Sequence, residues 1–222
     1  MRLLERGDLY LIEDFFPENV TAGFTKTSLE GRDVNKDMGE ALGSLLGRDI
    51  AVSFMEQAHS CTVHSIDQAG IYEGDALFTK ESGLALVVKT ADCLPLFVYD
   101  EKSGSAGAVH MGWRSAKEGI LDNIGVDLAS AKVLAGVAMR QCCFEVTGEF
   151  LGYRDLFPFV NERGGNLYFD PVGFARSSLA ARGMDKNRFA DLDICTLCDE
   201  RDFFSFRRDK TQNRMLSFII KR

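Results

Sequence analysis

Three observations predict an α+β fold, a mixed α/β sandwich in which mixed β-sheets are flanked by helices. Strand-like and helix-like stretches are intermixed along the chain. Several strands follow one another with no helix between them, which disfavours a doubly wound parallel sheet. Residues 83–119, GLALVVKTADCLPLFVYDEKSGSAGAVHMGWRSAKEG, read as strand, polar break, strand, turn, strand and then helix. With 222 residues, 45% of them apolar, and no repeat or linker, one domain over 1–222 is expected.

Taken in order, residues 8–16 (DLYLIEDFF) open the chain as a strand or a pair of strands. A short strand within 21–31 runs into a polar loop. Residues 35–47 place Met38, Leu42, Leu45 and Leu46 near helical spacing. Residues 50–56 (IAVSFME) alternate and carry β-branched side chains, as strands do. A short strand at 75–79 follows the turn at Gly74. After the central run, a helix is expected over 115–129 and an apolar strand over 132–139. Residues 144–159 read as mainly helical, ended or bent by Pro158. A strand at 166–169 precedes a helix over 173–182 with Gly183 as its C-cap. Strands at 189–194 and 203–206 flank a CTLC turn, and 215–220 is the last strand.

The net charge of −7 comes with no basic block, which argues against a nucleic-acid surface but leaves room for a local phosphate pocket. The opening MRLLERGDLYLIEDFF has no apolar secretory core, and no apolar run is long enough to cross a bilayer. A cytoplasmic protein with reduced thiols is therefore expected. Its six cysteines are then core residues, metal ligands or nucleophiles.

Chemistry-bearing residues collect where strands stop. His59 follows one strand, Cys93 follows LALVVKT, and His110 ends SAGAVH. If these strands are neighbours, two imidazoles and a thiolate meet, a donor set suited to zinc with a fourth position left for water. His64 competes with His59, because residues five apart on an extended segment face opposite sides. Cys93 and His110 equally suit a metal-free nucleophile and base, with Asp92 or Asp75 orienting the imidazole. Arg114, at the start of the following helix beside Trp113, suits a phosphate or carboxylate. Arg207 and Arg208 follow an apolar FFSF run, with Asp209 able to hold one of them. Cys195 and Cys198 form a CxxC. No βαβ thioredoxin pattern surrounds it, and the adjacent Cys142 and Cys143 make an awkward other half of a metal site. A turn with small buried thiols is expected there.

These residues sit in blocks that resemble one family. QAHS (57–60), DALFT (75–79), KTADCLPLFVYD (89–100), AVHMGWRSAKEGIL (108–121), CCFEV (142–146) and CTLCDERDFFSFRRDKTQNRM (195–215) resemble, in order, segments of the bacterial YfiH-like, or polyphenol oxidase, proteins. The resemblance implies an α/β sandwich distantly like a toxin that uses a Cys–His pair for deamidation. It implies zinc, with copper an alternative, held by His59, Cys93 and His110, which resolves His59 against His64. It further implies phosphorolysis of adenosine, inosine and methylthioadenosine to free base and ribose 1-phosphates, with adenosine deaminase activity. Alternatives are a Cys–His amide hydrolase acting on peptidoglycan precursors and a copper-dependent polyphenol oxidase. Under the first reading Cys93, His110 and Asp92 are the catalytic candidates. Asp75, Arg114, Lys26, Arg207 and Arg208 are the candidates for nucleoside and phosphate. Lys26 stands where the family has an arginine, Ser115 replaces a glycine, and Arg140 is an additional cation. A monomer acting on small molecules is the expectation.

Overall fold

A computed structural model describes residues 1–27, 40, 42–44, 50–199 and 202–222. The chain opens with strands β1 (Arg2–Arg6), β2 (Leu9–Glu13) and β3 (Val20–Thr25), followed by β4 (Ala51–Glu56), β5 (Val63–Ser65), β6 (Ile71–Glu73) and β7 (Ala76–Thr79). The central run forms β8 (Leu84–Thr90), β9 (Leu94–Asp100) and β10 (Ser105–Met111), then the one-turn helix α1 (Trp113–Lys117). The second half holds β11 (Ala131–Ala135), β12 (Glu145–Val146), β13 (Val160–Arg163), β14 (Asn166–Phe169), helix α2 (Pro171–Ala181), β15 (Phe189–Asp191), the short helix α3 (Phe206–Asp209) and β16 (Met215–Lys221).

A seven-stranded sheet runs β1-β2-β3-β16-β8-β4-β6 and a six-stranded sheet runs β15-β11-β9-β10-β7-β5. Both are mixed: β8 pairs antiparallel with β16 and parallel with β4. A small third sheet, β12-β14-β13, is not hydrogen-bonded to either but packs its Phe169, Val146 and Val160 on the same core as the six-stranded sheet. The two large sheets close on each other. Leu86, Val88, Phe24 and Ile219 from one meet Leu77, Phe97, Ala106 and Leu134 from the other. The period of two in β16 shows why: Met215 and Ile219 enter this core, while Leu216, Phe218 and Ile220 pack on the opposite face with Ala85 and Val87. The outer face of the six-stranded sheet buries Leu96, Val98, Val109 and Met111 against Phe174, Ala175 and Leu179 of α2. Strands buried on both faces explain the near-continuous apolar runs of β8, β9 and β10.

The α+β expectation stands, but the helices are fewer and shorter than periodicity indicates. Residues 115–129 give only α1 and a 3₁₀ turn at Ile120–Asn123, because Gly119 adopts a left-handed φ of 80°. Residues 144–159 are not mainly helical. They form β12 and two 3₁₀ turns, with their aromatics packed as a cluster around Phe150 and Phe169. Residues 203–206 are no strand: Ser205 caps α3 by accepting the Arg208 N–H. β1, β5 and β6 were not anticipated. The helix expected over 35–47 falls largely outside the described residues, although 42–44 are helical. Among the described residues, no helix is long and apolar enough to cross a membrane.

Candidate active site

β8 ends at Thr90 in one sheet and β9 begins at Leu94 in the other, so residues 91–93 cross between the two layers. Cys93 lies in this crossing. His110 is two residues further along the same edge, paired in register with Pro95. His59 comes from the loop after β4. The chain thus delivers three donors to the seam of the sandwich, and their ligand atoms all lie within 4.8 Å of one another. The Cys93 Sγ to His59 Nε2 separation is 3.7 Å, and the two imidazoles meet edge to face with centroids 4.9 Å apart. His64 is not part of the cluster; its Nε2 meets the Glu73 carbonyl at 2.8 Å.

Asp75 organises this arrangement and is fully buried. One of its carboxylate oxygens meets His110 Nδ1 at 2.7 Å and accepts the His59 N–H at 3.1 Å. The other accepts the Ala58 N–H and both the N–H and hydroxyl of Ser60. Three successive N–H groups turned toward one carboxylate hold His59 at a left-handed φ of 58°. That conformation is costly for a non-glycine residue and persists only where neighbours impose it. The bond to Nδ1 fixes the ring and leaves Nε2 for the cluster, the support a metal-bound histidine ordinarily has. Gly112 is also required: a Cβ there would lie 2.6 Å from His59 Cδ2 and 3.3 Å from Cys93 Sγ.

Electrostatics favour a charged sulfur. Burial pushes the Cys93 thiol up, but hydrogen bonds and charge from His110 and His59 outweigh it and bring the pKa down to about 6. Burial pushes His110 down, but Asp75 and Cys93 raise it to about 9. Asp75 is penalised by burial as well, yet His110 and Ser60 hold it below the usual carboxylate range. Such a site suits a cation or an imidazolium–thiolate pair.

The cluster forms the floor of a cavity of about 660 Å³, within the size range of small-molecule sites. Arg114, Arg207, Lys89, Lys210 and Arg214 line it, with Trp113, Phe144 and Phe206 as flat walls. The Arg114 guanidinium stacks on Trp113 at 4.5 Å, and Trp113 in turn stacks on Tyr153 at 5.8 Å. Lys89, Lys210 and Arg214 were not singled out in the sequence, because isolated cations carry no local motif. Gln57 was also missed. Its side-chain amide exchanges two 2.8 Å hydrogen bonds with the Lys89 backbone, docking the His59 loop on β8.

Lys26 and Arg208 fall elsewhere, and Asp92, although it borders the cavity, is engaged in structure. Lys26 pairs with Glu5 and lies over the Tyr10 ring; it does not line this cavity. Arg208 donates to the carbonyls of Thr196 and Phe203 and pairs with Asp209, so it anchors the C-terminal segment. Asp92 is buried at a left-handed φ of 100°. Its oxygens accept the Thr196 hydroxyl and the Arg207 N–H, both at 2.7 Å. Both oxygens are therefore engaged in holding chain together. Arg140 is buried against Asp191 and the carbonyls of Gly136 and Ile194, away from the cavity floor. Ser115 is buried and its hydroxyl accepts the Gly112 N–H at 2.9 Å, closing the start of α1.

A family model described as multi-copper polyphenol oxidoreductase laccase matches residues 30–222. The chain is 36% identical over 157 residues to a purine nucleoside phosphorylase of Aquifex aeolicus, covering 67% of this chain and 71% of that one. It is 31% identical over 193 residues to the purine nucleoside phosphorylase YfiH of Escherichia coli, covering 81% and 76%. In three dimensions it matches YlmD from Geobacillus stearothermophilus with a TM-score of 0.85 and 23% identity, over 99% and 98% of the two chains. The Bacillus licheniformis hypothetical protein YfiH gives a TM-score of 0.84 at 23% identity, over 98% of each chain. These two likenesses speak to the fold.

Proposed function

This chain belongs to the family described as multi-copper polyphenol oxidoreductase laccase, and from that premise we propose that it is a zinc-dependent purine nucleoside phosphorylase of the cytoplasm. Adenosine, inosine and methylthioadenosine are its proposed substrates, with deamination of adenosine as a side activity. The observation that carries this reading is a single cleft that combines a His–His–Cys floor, five cationic side chains and flat aromatic walls. The names of relatives at 36% and 31% identity point the same way.

His59, Cys93 and His110 would hold the ion; two imidazoles and a thiolate fit zinc and leave a position for another ligand. When bound, zinc supplies a positive centre that polarises an oxygen beside it. The protein does the rest. Arg114 and Arg207, helped by Lys89, Lys210 and Arg214, hold the phosphate against the ribose. Trp113, Phe144 and Phe206 offer faces on which a purine can stack. A phosphate oxygen bonds to ribose C1′ as the C1′–N9 bond breaks, and the base leaves with the electron pair and takes up the proton that the hydrogen phosphate loses. Asp75 keeps His110 in one ring orientation throughout. Asp92 acts by placing Cys93 and the Arg207 segment.

The test is to incubate the purified protein with each nucleoside, with and without inorganic phosphate, and to resolve the products by chromatography. Free base and ribose 1-phosphate should appear only with phosphate. Base release that ignores phosphate, or no release at all, overturns the proposal. A second reading, amide hydrolysis by a Cys93 thiolate, draws on the Cys93 and His59 contact and the Asp75–His110 pair. It requires that a thiol alkylator abolish activity while a chelator does not.

A further inference from the structure

A second cluster of donors lies outside the cleft. The sulfurs of Cys142, Cys143, Cys195 and Cys198 all lie within 4.8 Å of one another. Cys142 and Cys198 are 3.6 Å apart, and Cys143 and Cys198 are 3.3 Å apart. Four sulfurs bonded tetrahedrally to zinc at about 2.3 Å sit about 3.8 Å from one another. The observed spacing is therefore close to that of a zinc tetrathiolate, whereas a disulfide needs about 2.05 Å.

The local chain explains how adjacent cysteines reach one point. Residues 141–143 are not extended; Cys143 and Phe144 N–H groups both return to the Arg140 carbonyl, at 2.9 and 2.8 Å. This turn swings both side chains to one side. Cys195 bridges to Ala138 in parallel, and a turn over 196–198 brings Cys198 back beside it. The Arg140 N–H is directed at the Cys195 sulfur, with an N to Sγ distance of 3.5 Å. Peptide N–H groups aimed at a sulfur stabilise a thiolate. The adjoining cavity carries Arg140 and Arg176 as well as Asp170, Asp191 and Asp193, and Arg140 is paired with Asp191. Arg163 donates to the Cys142 carbonyl at 2.7 Å.

We propose that Cys142, Cys143, Cys195 and Cys198 form a separate structural zinc site. Binding releases four thiol protons to solvent, and the four sulfurs complete a tetrahedral shell, leaving no position for substrate. The site clamps the turn after β11 to the segment after β15. That segment carries Thr196, whose hydroxyl holds Asp92 next to Cys93. The clamp therefore supports the active-site crossing without touching substrate.

The whole chain, purified under reducing conditions, is assayed for metal by plasma mass spectrometry and for zinc ligands by X-ray absorption. Two zinc ions per chain are expected. The Cys93→Ala variant should keep one, with an all-sulfur shell at about 2.3 Å. The Cys198→Ser variant should lose that one and melt at a lower temperature. Should that variant not fold, the wild-type zinc count and sulfur shell still decide. A wild-type protein with one zinc in a shell of one sulfur and two nitrogens overturns the clamp and leaves the active-site zinc standing. One zinc in an all-sulfur shell does the reverse. Iron in this site, or a disulfide between Cys198 and either Cys142 or Cys143 in the reduced preparation, also overturns it.

Discussion

His59, Cys93 and His110 meet at the seam of two large sheets, whereas Cys142, Cys143, Cys195 and Cys198 meet between two turns. Strand ends deliver two of the first set, and one buried carboxylate aligns the loop that brings the third. The second set is partly exposed and depends on backbone turns for its shape. Three donors opening on a charged cleft suit a reaction. Four donors, enough to fill a tetrahedral shell, suit a clamp. The two are joined by a short path, because Thr196 lies between Cys195 and Cys198 and bonds Asp92, the neighbour of Cys93.

The contrast is sharpest if a donor is removed from each cluster. Cys93→Ala should lower phosphorolysis by about 10³-fold, the scale of losing a principal electrostatic group. Its zinc content should fall by one ion, and full retention of zinc with full activity would show that Cys93 neither holds the ion nor takes part in turnover.

Thiol reactivity in metal-stripped protein separates the clusters next. Burial, with Cys195 and Cys198 beside it, pushes the Cys142 thiol up to about 11, while Cys93 is held at about 6. The Cys93 thiolate is populated above about pH 6 and is lost as the pH falls through that value. The Cys142 thiolate forms only as the pH rises toward about 11. Iodoacetamide at pH 7.5 should therefore label Cys93 at least about 10²-fold faster, although Cys142 is the more exposed residue. Peptide mapping over a pH series measures this, and equal labelling rates would remove the electrostatic distinction.

A subtler break is Asp75→Asn, which keeps the shape but not the charge. Activity and zinc affinity should fall about 10–100-fold, as for other carboxylates behind a metal-bound histidine. Competition with a chromophoric chelator reads the affinity; an unchanged value would reduce Asp75 to a staple for the 58–60 loop. Least disruptive is Thr196→Val. It removes the donor to a buried Asp92 oxygen, and about 1–3 kcal/mol of stability should go with it. Denaturant unfolding measures that loss, and no loss would mean the two clusters are independent.

The strands that carry the active site were legible because each is apolar, bounded by polar residues and long enough to read. Cys93 and His110 could be placed at strand ends on that basis. His59 was separable from His64 only through the resemblance of QAHS to a known segment, since its left-handed backbone is imposed by Asp75 from the bend before β7. Residues 144–159 misread as helix because their aromatics follow a tertiary cluster rather than a helical face. The CTLC segment was expected to be a turn with small buried thiols and Cys142–Cys143 an awkward pair of ligands; the turn is present, but Cys142 and Cys198 are exposed and the four sulfurs converge because the chain turns at both places.

By itself the chain determined its class, its central strands and the chemistry available at their ends, since these follow from apolar runs and residue types within short windows. Only the tertiary structure decided that Lys26 and Arg208 lie off the cleft, that Lys89, Lys210 and Arg214 lie on it, and that four cysteines converge. Those facts depend on which distant segments pack together. That choice is made by the burial of whole sheet faces rather than by any local pattern.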